Sequence, residues 1–384
     1  MSRSAKLFAC VVSCALVLAG ASALAAGADT VRIGAIFAVT GPNANLGTPE
    51  ARTLQMLVDQ ANAAGGIDGR KVELFLRDSQ GNAEKAISYA KQLMEEEQVL
   101  AIIGPSTSGE SMKLKGICDD GETILLSCAA AETIVNPVAK WVFKVAPNDS
   151  FAARMIFVTM KKMGITRIGA LSSNSGFGQG GKAQLEKLAP GAGITILISE
   201  VYDKEATDLT GVLTKIKAED VQAVVNWSTE PAQSIVAKNM KQLGFDVPLF
   251  QSHGFGNLNY VAAAGKAAEG IIFPCGRILV ADALPAGHPQ KQLLMGYRKA
   301  YREMFKDEPS TFGGHAYDSW TIISEAVKKA GTDRARVRDF IEGVHGVVGT
   351  AGIFSFSPED HNGLTIDAFE MLTVKNGRFT LLGR

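Results

Sequence analysis

The residues best placed to do chemistry form a hydroxyl-rich loop, Pro105-Ser-Thr-Ser-Gly-Glu110. It follows the apolar run Val99–Gly104 and opens a helix. Hydroxyls and free N–H groups at a helix N-terminus suit an anion, a carboxylate above all. N-capping by Ser106 or Ser108 draws on the same groups, and the two roles do not exclude each other. A second candidate, Gly176-Phe-Gly-Gln-Gly-Gly181, fits the G-x-G-x-x-G pattern of dinucleotide sites, with Glu200 spaced as a ribose-binding acid. In such sites the first glycine follows its strand almost at once. Here Ser172-Ser-Asn-Ser175 intervenes, so the pattern reads as a flexible cleft loop that presents Phe177. His253, in Ser252-His-Gly254, ends a strand where a cleft would be. His315 and Tyr317, in Gly314-His-Ala-Tyr-Asp318, open a long helix and read as packing and capping.

Other chemistries lack their residues. There is no G-x-S-x-G, H-E-x-x-H or Walker A sequence. His253, His288, His315, His345 and His361 are scattered without metal-ligand spacing. Cys118, Cys128 and Cys275 are an odd set with no C-x-x-C, and read as buried small hydrophobes; a Cys118–Cys128 disulfide is the alternative. No nucleophile–base pair or metal set emerges. The expectation is a protein that is not an enzyme and uses no cofactor or metal.

The elements that position these residues alternate strand and helix. Val31–Phe37 is a strand, broken by Thr40-Gly-Pro42. Thr48 is placed to cap a helix, with Pro49 at its first position and Glu50 in its first turn, where a carboxylate suits the helix dipole. Leu54, Leu57, Val58 and Ala61 follow at helical spacing until Gly65-Gly66. Val72–Leu76 is the next strand, Asn82 opens a helix, and Val99–Gly104 is the third strand. Thr123–Ser127 is a fourth, and Cys128-Ala-Ala-Ala131 after it lets a ligand approach backbone or lets a crossover pack closely. Val142–Asp149 reads as a crossing. The rhythm then restarts with a helix over 151–163, strand 167–171, loop 172–181, helix 182–188, strand 194–201 and a helix capped near Thr207. Strand 221–227, ending in Trp227, a helix from near Thr229 and strand 248–251 follow. Ile271–Pro274 reads as a return crossing. Helices cover 288–304, 313–330 and 334–343, and Lys375-Asn-Gly377 turns a hairpin. This pattern predicts an α/β fold of parallel sheets, with ligands beyond the carboxyl ends of the strands.

The chain has 384 residues, enough for two domains. Arg3 and Lys6, the apolar run Leu7–Leu18 and the small residues Ala21–Ala26 read as a secretory signal peptide over 1–26, cleaved near Ala25 or Ala26. Without it 37 basic residues face 39 acidic ones. That balance recruits neither nucleic acid nor an anionic membrane. An exported protein released into the periplasm is expected.

From Val31 on, the chain resembles the type I periplasmic binding proteins, in the leucine/isoleucine/valine-binding branch that feeds ABC transporters. Ile33-Gly-Ala35, Thr40-Gly-Pro42, Ala64-Gly-Gly-Ile-Asp-Gly69, Arg77-Asp78, Ile103-Gly-Pro105, Ser127–Ala131, Phe177-Gly178 and Ala268-Glu-Gly270 carry the likeness. The resemblance implies two Rossmann-like lobes joined by three hinge crossings. The expected division is 30–148 plus 277–355 for the first lobe and 149–276 plus 356–384 for the second. The lobes would close on a small carboxylate-bearing ligand and hand it, unchanged, to membrane permease subunits. By position, Ser108 matches the serine on the ligand carboxylate and Ala129 a residue whose backbone holds the ligand. Ala131 stands where the family has threonine, and Leu46 and Phe177 where this branch has tyrosine. Trp227 is expected in the cleft wall. His253 falls on the glutamate that pairs with the ligand ammonium. Two lost acceptors fit an aromatic or branched aliphatic acid without an amino group. A branched-chain amino acid, its ammonium held by carbonyls and Glu132, is the other reading.

Overall fold

The computed structural model describes residues 30–383, and the expected signal peptide over 1–26, with its cleavage near Ala25 or Ala26, lies outside them. Among the described residues no helix is long and apolar enough to cross a membrane.

The first lobe is built on β1 (Val31–Phe37), α1 (Ala44–Ala63), β2 (Val72–Asp78), α2 (Ala83–Glu95), β3 (Ala101–Ile103), α3 (Ser108–Asp120), β4 (Ile124–Ser127) and β5 (Val142–Lys144). Its strands run parallel in the order β2-β1-β3-β4-β5. Ile33, Ala35 and Phe37 face one core while Ile36 faces the other. Burial on both faces is why β1 reads as an apolar run interrupted only by Arg32.

The second lobe comprises α4 (Asp149–Lys162), β6 (Arg167–Ser173), α5 (Gly176–Leu188), β7 (Thr195–Tyr202), α6 (Thr210–Ala218), β8 (Ala223–Trp227), α7 (Ala232–Gln242), β9 (Leu249–Gln251), α8 (Leu258–Ala264) and β10 (Ile272–Cys275). The chain then returns through α9 (Lys291–Phe305), α10 (Thr311–Ala330), α11 (Arg334–Glu342), and the pair β11 (His345–Val348) and β12 (Ile353–Ser355). It ends with β13 (Glu370–Lys375) and β14 (Arg378–Leu381). The second sheet has the order β14-β13-β10-β9-β8-β6-β7 and is parallel except where β13 meets β10 and β14. Asn376 and Gly377, both at positive φ, turn the β13–β14 hairpin.

Three crossings join the lobes: after β5, after β10, and before β13. The last falls between Ala368 and Phe369 rather than at 355/356, because Phe356, Leu364 and Ala368 pack in the first lobe's core while Phe369 packs in the second's. Ile271–Pro274, expected as a crossing, lies mostly inside β10, and the chain passes over at Gly276.

Two helix starts differ from expectation. Helix α1 begins at Ala44, so Pro49 is inside it, and the Thr48 hydroxyl donates to Val39 O at 2.8 Å instead of capping. Proline has no N–H to give to the carbonyl four residues back. The Asn45 carbonyl left free accepts instead from Asn257 Nδ2 in the other lobe at 2.9 Å, and Asn259 Nδ2 donates to Asn45 Oδ1 at 2.9 Å.

Helix α5 begins at Gly176, not Lys182, with Ser175 accepting from Gly178 N–H as cap. Its glycines serve close approach. A Cβ on Gly181 would lie 2.2 Å from the Trp227 ring, one on Gly178 2.1 Å from Ser173 O, and one on Gly176 2.8 Å from the backbone of Gly109. Gly176 and Gly109 belong to different lobes, so backbone meets backbone across the closed cleft. Gly176→Val should therefore hold the lobes apart and weaken ligand binding by about 1–3 kcal/mol, the scale of overpacking. Melting of the ligand-free protein should change little. Calorimetry on both proteins checks this, and equal affinities would show that the cleft need not shut here.

Candidate functional site

A cavity lies between the lobes at the carboxyl ends of the strands and encloses about 600 Å³ of space free of atoms, part of it open to solvent. The first lobe contributes Leu46 from α1, Ser106–Ser108 at the start of α3, and Cys128–Ala130 after β4. The second contributes Phe177 from α5, Thr229 after β8, and His253 and Gly254 after β9. Cys275, Gly276 and Phe369 at the crossings, Thr311, Phe312 and His315 on α10, and Thr350 and Ala351 complete most of the wall.

Of the residues singled out from sequence, Leu46, Ser108, Ala129, Phe177 and His253 come together here. Ala131 and Trp227 sit one layer behind. Trp227 is wholly buried, with its ring centroid 5.9 Å from that of Phe177 and 5.7 Å from that of His253. Ala131 lends its N–H to Ser108 Oγ at 3.2 Å. With that lone pair occupied, the Ser108 O–H proton is free to donate into the cavity. The cap of α3 is Thr107, in a capping box with Glu110, rather than Ser106 or Ser108.

The wall contains no carboxylate, lysine or arginine side chain. Its acids stand directly behind it and hold its hydroxyls. Ser106 Oγ accepts from Ala38 N–H and donates to Glu50, which is fully buried instead of serving the α1 dipole. Burial raises the Glu50 carboxyl well above its ordinary range, against the lowering effect of the Ser106 bond. Glu230 accepts from Ser173 Oγ at 2.9 Å, Ser228 Oγ at 2.7 Å and Thr229 N–H at 3.2 Å. Asp318 accepts from Thr350 Oγ1 and Ala351 N–H, both at 2.9 Å, and burial pushes it up to about 7.

His253 is 7% exposed and ringed by Phe177, Trp227 and Phe369 at 5.2–5.7 Å between centroids. Burial, then the nearby Lys144 charge, pulls it down to about 3. His315 is brought to about 3 by the same two causes. Both ring nitrogens of His253 and Nδ1 of His315 lack a hydrogen-bond partner. His315, expected in packing and capping, is thus a wall residue with a free nitrogen. Its sequence signal was only a histidine in the first turns of a helix, and the contact spans the whole second lobe. Cys118, Cys128 and Cys275 are free and buried, so the Cys118–Cys128 disulfide does not form. Among the described residues no cluster suited to a metal is present.

Two hinged α/β lobes with a cavity between them define a solute-binding architecture. The family model described as periplasmic binding protein matches residues 30–378, and the chain belongs to that family. The leucine-, isoleucine-, valine-, threonine- and alanine-binding protein of Pseudomonas aeruginosa is 26% identical over 332 residues, 86% of this chain and 85% of that one. An extracellular ligand-binding receptor from Rhodopseudomonas palustris HaA2 shares 29% identity with a TM-score of 0.87, covering 92% of this chain and 99% of its own. The branched-chain amino acid transporter substrate binding protein LivJ from Streptococcus pneumoniae, solved with isoleucine, shares 26% identity with a TM-score of 0.80 over 91% and 98% of the two chains.

The low His253 value fixes a pH signature. Below its ordinary value of 6.5 the unfolded chain takes up a proton here that the folded chain refuses until about pH 3. This stability is fully present above about pH 6.5 and is lost as pH falls. Relative to His253→Phe, the wild type should lose up to ~1.4 kcal/mol per pH unit over that window, with a constant difference above it. Urea unfolding of both proteins from about pH 8 to about pH 5 measures it. Parallel curves would mean that His253 titrates normally in the fold.

Proposed function

We propose that the chain is the solute-capturing component of an ABC importer of the branched-chain amino acid type. It is exported, cleaved near Ala25 or Ala26, and closes its lobes on a small carboxylate-bearing solute. Transfer to membrane permease subunits follows. The observation that carries this reading is Ser108. Its O–H is left to donate, at the start of α3, into a cavity that both lobes share. The first N–H groups of a helix have no partner within it. Thr107 and Glu110 satisfy one another, which leaves the Ser108 N–H for an anion. Leu46, Ala129 and Phe177 would receive the apolar part of the solute, with Ala131 and Trp227 supporting from behind. The relatives named above, with a leucine-, isoleucine- and valine-binding protein among them, support the transport class.

An exported enzyme is the rival. It would need a base or nucleophile at the cavity, and the two wall imidazoles are held neutral by burial, His253 with no partner on either nitrogen and His315 with none on Nδ1. Two measurements separate the readings. Solute recovered after saturating the protein should have unchanged mass, and melting should rise as binding to the folded form requires. Ser108→Ala should weaken binding by about 1.5–3 kcal/mol, the scale of a hydrogen bond to a charged group. A chemically altered solute, or full affinity in the Ser108 variant, would contradict the proposal.

A further inference from the structure

We propose that the captured molecule carries no ammonium group and instead presents a hydroxyl oxygen to His253 and His315. This rests on the carboxylate-capture reading above and narrows it. A buried ammonium needs acceptors on its three protons and a nearby negative charge. The wall offers no negative charge. No carboxylate lines it; its neighbours Glu230 and Asp318 are turned to Thr229 N–H and to the Thr350 hydroxyl, and Glu50 accepts from the Ser106 hydroxyl while its Oε1 has no partner. Four of its carbonyls are already engaged. Ala130 O accepts from Lys144 Nζ at 3.1 Å, Thr229 O from the Tyr260 hydroxyl, His253 O from Cys275 Sγ at 3.4 Å, and Thr350 O from Gln290 Nε2 at 3.0 Å. The Lys144 charge opposes a positive charge on either imidazole, and it would oppose a ligand cation beside them in the same way.

What the wall does offer at this end is three buried ring nitrogens with no partner, two on His253 and one on His315. A neutral imidazole has one donor and one acceptor nitrogen. A hydroxyl both donates and accepts, so it completes such a pair without bringing a charge. Around the imidazoles stand the rings of Phe177 and Phe369, which suit a flat apolar body. Carboxylate at the start of α3, aromatic body, hydroxyl toward the histidines: a hydroxylated aromatic acid has these three parts.

The mature chain, stripped of carried-over ligand by unfolding and refolding, is titrated calorimetrically with 4-hydroxybenzoate, benzoate and leucine. The inference expects 4-hydroxybenzoate to bind, benzoate to bind about tenfold more weakly, the scale of one hydrogen bond, and leucine to give no binding heat. In His253→Phe the preference for the hydroxyl should vanish, and circular dichroism with melting of the ligand-free variant shows that it is folded. Leucine bound as tightly as 4-hydroxybenzoate overturns the inference and leaves carboxylate capture standing. Equal affinity for the two aromatic acids in the wild type overturns the role of the histidines. Binding of none of the three overturns both readings.

Discussion

Lys144 has no exposed surface, and the site is arranged around its ammonium. It ends β5 where the first crossing begins. Its Nζ donates to Ala130 O, on the cavity wall, and to Ala146 O, in the crossing, at 3.1 and 2.7 Å. Asn362, from the approach to the third crossing, donates to Lys144 O and Ala146 O at 3.1 and 2.9 Å. Lys144 thus ties a wall segment to the first crossing through its ammonium, and to the approach to the third through its carbonyl. A buried charge persists only when it is paired and hydrogen-bonded. Burial lowers the Lys144 pKa and raises that of Asp149, and each opposes the other's shift. Asp149 in turn accepts from Glu132 N–H at 3.0 Å, so the start of α4 is fixed to the segment that follows the wall.

The second organising feature is that charge is kept one layer behind the cavity. Glu50, Glu230 and Asp318 each bind groups that line it, which sets the direction of its hydroxyls before any solute arrives. Preset donors need no reordering on binding, and ordering side chains costs affinity. The same logic reaches the lobe contact. Pro49 frees the Asn45 carbonyl, and Asn257 takes it across the cleft. A local defect in α1 becomes a contact of the closed form.

Much of the architecture could be read from the chain because strands buried on both faces appear as apolar runs between capped helices. The strand ends then located Ser108, Ala129, Phe177 and His253 near one gap. What could not be read depends on contacts between distant segments. His315 and Phe369 reach the cavity only because α10 and the third crossing fold back over it. Ala131 and Trp227 lie at strand ends, yet their neighbours turn them behind the wall; Trp227 packs under Gly181. Glu50 has the local signature of a helix-dipole carboxylate and is buried behind Ser106 instead. Gly176, Gly178 and Gly181 match a phosphate-binding spacing, but each one permits a close approach of backbone or ring.

Solute capture of the kind proposed requires the two lobes to move as bodies about the three crossings and shut. Small-angle scattering of the mature protein, ligand-free and then saturated with a solute that raises its melting temperature, measures that motion directly. Saturation should give a smaller radius of gyration and a shorter maximum dimension, with secondary structure unchanged. Scattering curves that superpose at saturation would contradict it.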